Sequence, residues 1–298
     1  TTNFKEGVSF ATFTPDNKQV YAITNLGRDK SALVLMDPAT CEELEQLYTN
    51  DKYDLRGIWY SDAQKKLQGV SYEGHKGVRR HFFDKATGEM FGRMEKHLRG
   101  YEGGISGWNK AEDKYIVYAG GDRTIGAYYL YDVKADTMTK LADLAPWIEE
   151  QQMAEMTPVT YTSRDGLEIE GYLTLPVGKT LHNAKNLPVV VNPHGGPWAR
   201  DSWGFNPEVQ FLANRGYAVL QMNFRGSTGF GRKFTEIAYG KWGQTMQDDI
   251  TDGVNWLIEK GIADPAKIAI YGGSYGGYAT LQGIVKDPDL YACAVDYV

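Results

Sequence analysis

The run Gly272-Gly-Ser274-Tyr-Gly276 constrains the fold of this chain more than any other feature. It follows the apolar strand-like stretch Lys267-Ile-Ala-Ile-Tyr271 and precedes a helical stretch that continues to Lys286. A serine in this G-x-S-x-G context sits on a strained strand-to-helix turn that lifts its hydroxyl above a sheet. Glycines are needed on both sides because a Cβ at Gly272 or Gly276 would collide with the neighbouring strand and helix. The helix behind the serine also aims its N-terminal N–H groups at any anion that develops there. The pattern therefore predicts a mostly parallel sheet covered on both faces, with Ser274 as its nucleophile.

The rest of the second half agrees in its rhythm. Thr160–Gly166 reads as a strand entering a turn, and Glu168–Leu175 as its return. Leu187–Val191 and Tyr217–Met222 read as strands, with a helix over Pro207–Asn214 that stops at Gly216. From Gly243 to Glu259, Met246, Ile250, Val254 and Leu257 share one helical face, and Gly261 ends it. The stretch Tyr291–Val298 is a further strand, and Asp296 within it reads as structural. This gives a domain over residues 151–298, the N-terminal part of an α/β-hydrolase catalytic domain.

Residues 1–150 have a different period. Runs such as Gln19–Thr24, Lys114–Ala119 and Ala127–Tyr131 alternate apolar and polar positions and are broken by Asn, Asp and Gly, as short antiparallel strands are. Asp37, Asp84 and Asp132 each follow such a strand, at intervals of 47 and 48 residues. A second marker keeps step at Pro15-Asp16-Asn17, Ser61-Asp62-Ala63 and Ala111-Glu112-Asp113. Four-stranded units of this length are the signature of β-propeller blades, with each Asp holding the turn between third and fourth strands. The expected fold class is thus mixed: a partial propeller of about three blades, then an incomplete α/β-hydrolase domain. Three blades do not close a ring, and the pattern opens in mid-unit, so further blades are expected upstream.

Composition narrows the function class. The net charge of −6 disfavours a nucleic-acid partner, and the basic cluster Lys76–Arg80 with His81 reads as a solvated strand face. No stretch approaches the ~18 apolar residues that cross a bilayer, so no membrane partner is expected. No signal peptide is read and the sequence does not begin with Met; a soluble protein is expected, with cytoplasm and periplasm both left open. Cys41 and Cys293 read as two unrelated buried thiols. The five histidines lack metal-ligand spacing, and no cofactor is expected. Gly226-Ser-Thr-Gly229 lacks the Lys of a phosphate loop. A homo-oligomeric state is left open.

The loop His194-Gly-Gly-Pro197 follows the strand ending at Val191, where a hydrolase of this type carries its oxyanion donors. The backbone N–H groups of Gly196 and Tyr275 are assigned to that hole, each worth roughly 10²–10³ in turnover. His194 is read as a loop-stabilising residue, because in this fold the base follows the nucleophile in chain order. Only 24 residues follow Ser274, and none is His. The segment alone is therefore expected to be inactive, lacking the downstream Asp and His.

Taken in order, Pro193-His-Gly-Gly-Pro197, Asn223-Phe-Arg-Gly-Ser-Thr-Gly-Phe-Gly231 and Gly272-Gly-Ser-Tyr-Gly-Gly-Tyr278 resemble the prolyl oligopeptidase family of serine peptidases. The acylaminoacyl-peptidase and dipeptidyl-peptidase-like branch is the most similar. The resemblance implies a propeller before the hydrolase domain, an active site limited to short peptides, and an Asp and a His in about the next 150 residues. It also carries the oxyanion hole onto Gly196 and Tyr275. Arg225 reads as scaffold rather than a ligand for a substrate carboxylate. Trp242 and Tyr278 are open between core and substrate-pocket roles. Two other classes share these motifs: an esterase or lipase, and a non-catalytic propeller scaffold whose elbow is a relic.

Overall fold

The computed structural model describes residues 4–298, which divide into two compact units. The first comprises the chain up to Gly121, then Ile125–Pro146 and Gly229–Arg232. Its first sheet is an antiparallel meander of β1 (Val8–Phe13), β2 (Val20–Thr24), β3 (Ala32–Met36) and β4 (Glu43–Thr49). The second holds β5 (Leu55–Ser61), β6 (Lys66–Glu73) and β7 (Val78–Phe82), and is followed by the helix α1 (Lys85–Leu98). The third meander is β8 (Glu102–Trp108), β9 (Lys114–Gly120), β10 (Ala127–Asp132) and β11 (Thr137–Asp143).

Three sheets follow the 47- and 48-residue intervals of Asp37, Asp84 and Asp132, but the middle one has three strands and then a helix. Asp37 and Asp132 turn the chain from the third strand to the fourth, each accepting N–H groups two and three residues on. Asp84 begins with the same local chemistry, accepting from Thr87 N at 2.8 Å, yet there it caps α1. The residues beyond the cap decide the outcome. Met90, Phe91, Met94 and Leu98 recur at helical spacing and bury against Tyr115, Val117 and Tyr131.

Two other expectations change. Cys41 and Cys293 are both exposed free thiols, not buried ones. Cys41 lies beyond the Asp37 turn with φ 60°, and Cys293 lies on a sheet face that leaves room above it. In the basic cluster, Arg79 and His81 do face solvent, while Arg80 folds back over the Phe91 ring.

The second unit comprises Asp122–Thr124, Trp147–Thr228 and Lys233–Val298. After a short 3₁₀ turn at Glu150–Gln152 come β12 (Met156–Thr162), β13 (Glu168–Thr174), β14 (Leu187–Val191), α2 (Pro207–Ala213) and β15 (Ala218–Met222). Then follow α3 (Arg232–Glu236), α4 (Thr245–Glu259), β16 (Ala263–Gly273), α5 (Tyr275–Lys286) and β17 (Cys293–Tyr297). They build one six-stranded sheet in the order β12-β13-β15-β14-β16-β17. Its β15, β14, β16 and β17 pair in parallel, and β12 and β13 are antiparallel.

The two faces of this sheet are unlike. On one, Ile169, Leu173, Val189, Val191, Leu220, Met222, Ile268 and Ile270 pack against α4 and α5 in a continuous apolar core. On the other, α2 packs mainly over β15 and β13. Beside α2 runs a groove of about 710 Å³ between Phe211, Tyr217 and Tyr271. Sequence alternation had suggested cover on both faces. The second face is also polar near β13: Glu170, Tyr172, Thr174, Gln221 and Asn223 are all buried there. Gln221 Nε2 donates to Asp201 Oδ1 at 3.0 Å, and Asn223 clamps the Asp201 backbone through both its amide atoms.

Charge is buried once more at Arg225. Its Nε and Nη2 donate to both oxygens of Asp249 at 2.8 and 2.7 Å, and Nη1 and Nη2 to those of Asp165 at 2.7 and 2.9 Å. Asp249 also accepts from Ser163 Oγ and from the Arg225 backbone N–H. Four of its five N–H groups are committed to these two carboxylates, so its role is scaffold. Because the Asp249 side chain is 0% exposed and Asp165 is 43% exposed, the two carboxylates differ in weight. Asp249→Ala is expected to lower unfolding stability by about 3–5 kcal/mol, leaving a buried cation with half its partners. Asp165→Ala is expected to lower it by about 1 kcal/mol or less, read by urea denaturation. Equal losses would contradict the assignment.

Asp201 generates a pH prediction. Burial pushes its carboxyl up to about 7, and its Oδ2 is enclosed with no hydrogen-bond partner among the described residues. Between the ordinary value of 3.8 and about 7, the folded state keeps a proton that the unfolded state releases. Stability from this group is thus full below about pH 4 and declines toward pH 7, by up to about 1.4 kcal/mol per pH unit. Denaturation midpoints across that range should flatten in Asp201→Asn. An unchanged slope would refute the claim.

Candidate active site

Ser274 stands where β16 ends and α5 begins, with φ 56° and ψ −122°. A non-glycine residue held in that region stores about 1–3 kcal/mol of strain, which the surroundings must over-determine. Here they do. A methyl group on Gly272 would lie 2.5 Å from the carbonyl carbon of Gly276, and one on Gly276 would lie 2.2 Å from the Pro193 oxygen. Gly277 is equally tight against Asp296. The turn is therefore pressed between its own helix and the loop that leaves β14. Serine commonly caps a helix with its hydroxyl, but Ser274 makes no such bond, and the residue is exposed.

The loop after β14 reaches the same spot. A Cβ on Gly195 would be 3.4 Å from Ser274 Cβ and 3.9 Å from Ser274 Oγ. Gly196 is exposed with φ 120°, a conformation that favours glycine. Tyr275 is the first residue of α5, so its N–H belongs to the four donors that a helix leaves unpaired at its start. Its ring is buried against Trp242, edge-on at 5.0 Å, and burial raises its phenol pKa. Trp242 and Tyr278 continue this aromatic surface outward, with Trp198 beside Trp242, and all three are partly exposed.

His194 is committed elsewhere. Nδ1 lies 2.7 Å from the Gly195 oxygen and Nε2 lies 2.9 Å from Ser227 Oγ, with the ring stacked on Phe224 at 4.4 Å. The residue keeps some exposed surface, but the ring is enclosed by these partners, and burial pushes its pKa down to about 4. It is neutral near pH 7. Ser227 lies 33 residues away, within the Asn223–Gly231 motif, and nothing in that motif revealed that its hydroxyl meets His194. Asp287 is likewise occupied, accepting from Thr251 Oγ1 at 2.8 Å. Among the described residues no cluster of His, Cys, Asp and Glu could hold a metal ion. No described helix is long and apolar enough to cross a membrane.

Residues 203–298 match the sequence profile of the prolyl oligopeptidase family. Over 292 residues the chain is 38% identical to dipeptidyl aminopeptidase BIII of Pseudoxanthomonas mexicana, covering 96% of this chain and 42% of that protein. It is 36% identical over 116 residues to the acylamino-acid-releasing enzyme of Arabidopsis thaliana, covering 39% of this chain and 15% of that protein. In fold it is similar to a puromycin-hydrolyzing peptidase of Mycobacterium tuberculosis, with a TM-score of 0.75 and 21% identity over 98% of this chain and 45% of that one. The chain thus spans under half the length of these relatives. The segment that carries the Ser274 turn, residues 203–298, thus belongs to the prolyl oligopeptidase family.

Proposed function

We propose that Ser274 is the nucleophile of a serine peptidase that cleaves short peptides through an acyl-enzyme. The observation that carries this reading is the strained backbone of Ser274 at the head of α5, with Gly195 packed against it. Ser274 Oγ attacks the peptide carbonyl as a base takes its proton. The carbonyl oxygen becomes an anion facing the N–H groups of Gly196 and Tyr275. Collapse of the intermediate expels the amine with a returned proton, and water then releases the acid. One relative is named a dipeptidyl aminopeptidase and another an acylamino-acid-releasing enzyme, names that favour peptide over ester substrates.

The base is not among the residues seated at Ser274. His194 is held by Gly195 and Ser227, so the proton acceptor and its carboxylate come from another part of the full-length protein. Residues 1–150 serve in this reading as blades of a β-propeller, and 151–298 as part of the hydrolase domain. The segment alone is inactive toward peptides.

Full-length protein should react with a fluorophosphonate at Ser274, mapped by mass spectrometry, and Ser274→Ala should abolish the label. Turnover should fall by roughly six orders of magnitude in that variant. A label on another residue, or none, overturns the reading. Because the Tyr275 contribution is its backbone N–H, Tyr275→Phe should keep kcat within about threefold. A loss of 10²-fold or more, as for a missing oxyanion donor, would show that the hydroxyl is the working group.

A further inference from the structure

Gly195 and Gly196 share one peptide unit, and this fact links a side chain to the oxyanion donor. In a trans peptide the C=O of Gly195 and the N–H of Gly196 point in opposite directions. Whatever holds the Gly195 oxygen therefore aims the Gly196 N–H. With glycine on both sides, no side chain of its own restrains that unit, and Gly196 already sits at φ 120°. The group that holds the Gly195 oxygen is His194 Nδ1, at 2.7 Å.

A carbonyl oxygen only accepts, so Nδ1 must carry the proton. The ring is neutral, since burial keeps its pKa near 4 and the nearby Arg200 charge pushes in the same direction. Nε2 then offers only a lone pair, and its neighbour at 2.9 Å is Ser227 Oγ. Ser227 has one proton and two acceptors in reach, Nε2 and the Phe224 oxygen at 2.7 Å. The Phe224 oxygen already accepts from the Ser227 backbone N–H at 3.0 Å. The Phe224 oxygen keeps its backbone donor when the hydroxyl turns away, whereas Nε2 has no other donor among the described residues, so we assign the hydroxyl proton to Nε2.

We propose that Ser227 is a positioning residue: by donating to His194 Nε2 it fixes the Nδ1–H tautomer, and His194 in turn aims the Gly196 N–H at the oxyanion. The inference rests on the peptidase reading for its catalytic consequence, and on hydrogen-bond geometry and burial for its tautomer.

Two measurements test it separately. In full-length protein with ¹⁵N-labelled histidine, NMR near pH 7 should show His194 with a protonated Nδ1 and a bare Nε2. A protonated Nε2, or an imidazolium, overturns the proposal without needing any variant to fold. Second, Ser227→Ala should lower kcat about 10- to 100-fold, with KM within about twofold. It should weaken a peptide aldehyde, whose adduct at Ser274 places an oxygen in the hole, in the same proportion. That range lies below the 10²–10³ of a donor lost outright, because the peptide unit is freed rather than removed. If wild-type Ser274 labels with fluorophosphonate but Ser227→Ala keeps kcat within twofold, the latch is wrong and the peptidase reading stands. If wild-type Ser274 does not label, the peptidase reading fails first and takes the catalytic part of the proposal with it.

Discussion

The close approach of three backbones, at Gly272, Gly276 and Pro193, is the constraint on which the candidate site depends. β14 and β16 are parallel neighbours, so the loops leaving their carboxyl ends emerge side by side. Only residues without a Cβ let those loops touch, and the touching places Gly195 against Ser274. The strain at Ser274 persists because both flanks are anchored in the apolar core. Ile268 and Ile270 hold the strand, and Tyr275 and Ala279 hold the helix. A single methyl at Gly272 or Gly276 would have to displace main chain rather than a flexible side-chain end.

A second layer supports the first, and it comes from one short stretch. Asn223 clamps the Asp201 backbone, Phe224 stacks on the His194 ring, Arg225 joins Asp165 to Asp249, and Ser227 meets His194 Nε2. Each side chain reaches a different element, so the stretch works as a bracket between the β12–β13 turn, α4 and the loop after β14. Its buried ion pairs contribute modest net stability, because desolvation offsets much of the attraction. What they supply is register. With Arg225 seated between two carboxylates, the chain has little freedom to move Phe224 or Ser227 relative to His194.

How much of this could be read from residues alone depends on the kind of evidence each position offers. Apolar period and breakers gave α4, α5 and the strands β13, β14, β15 and β17 of the six-stranded sheet to within about two residues, while β12 and β16 each begin four residues earlier than expected. Asp84 shows the limit: it shares its local chemistry with Asp37 and Asp132, but a helical face downstream converts a turn into a cap. The polar layer at Glu170, Tyr172 and Thr174 was also hidden. Alternation there looks like a strand with one solvated face, whereas α2 and the Asp201 loop bury it. The cysteines failed for the reverse reason, since apolar character says nothing about whether a covering element exists.

The candidate site adds a subtler limit. The proposed oxyanion donors are main-chain groups, so the identities of Gly196 and Tyr275 describe the space around the hole and not the hole itself. His194 is the one residue type in the loop that suggests acid–base chemistry, yet its proton is already assigned. Nδ1–H serves the Gly195 oxygen, and Nε2 can only receive. A ring that acted as the base for Ser274 would have to abandon one of these bonds and take on charge where burial opposes it. The same burial that disqualifies His194 as a base suits it to hold a peptide plane, because a neutral imidazole keeps one fixed donor and one fixed acceptor across the pH range in which a peptidase works.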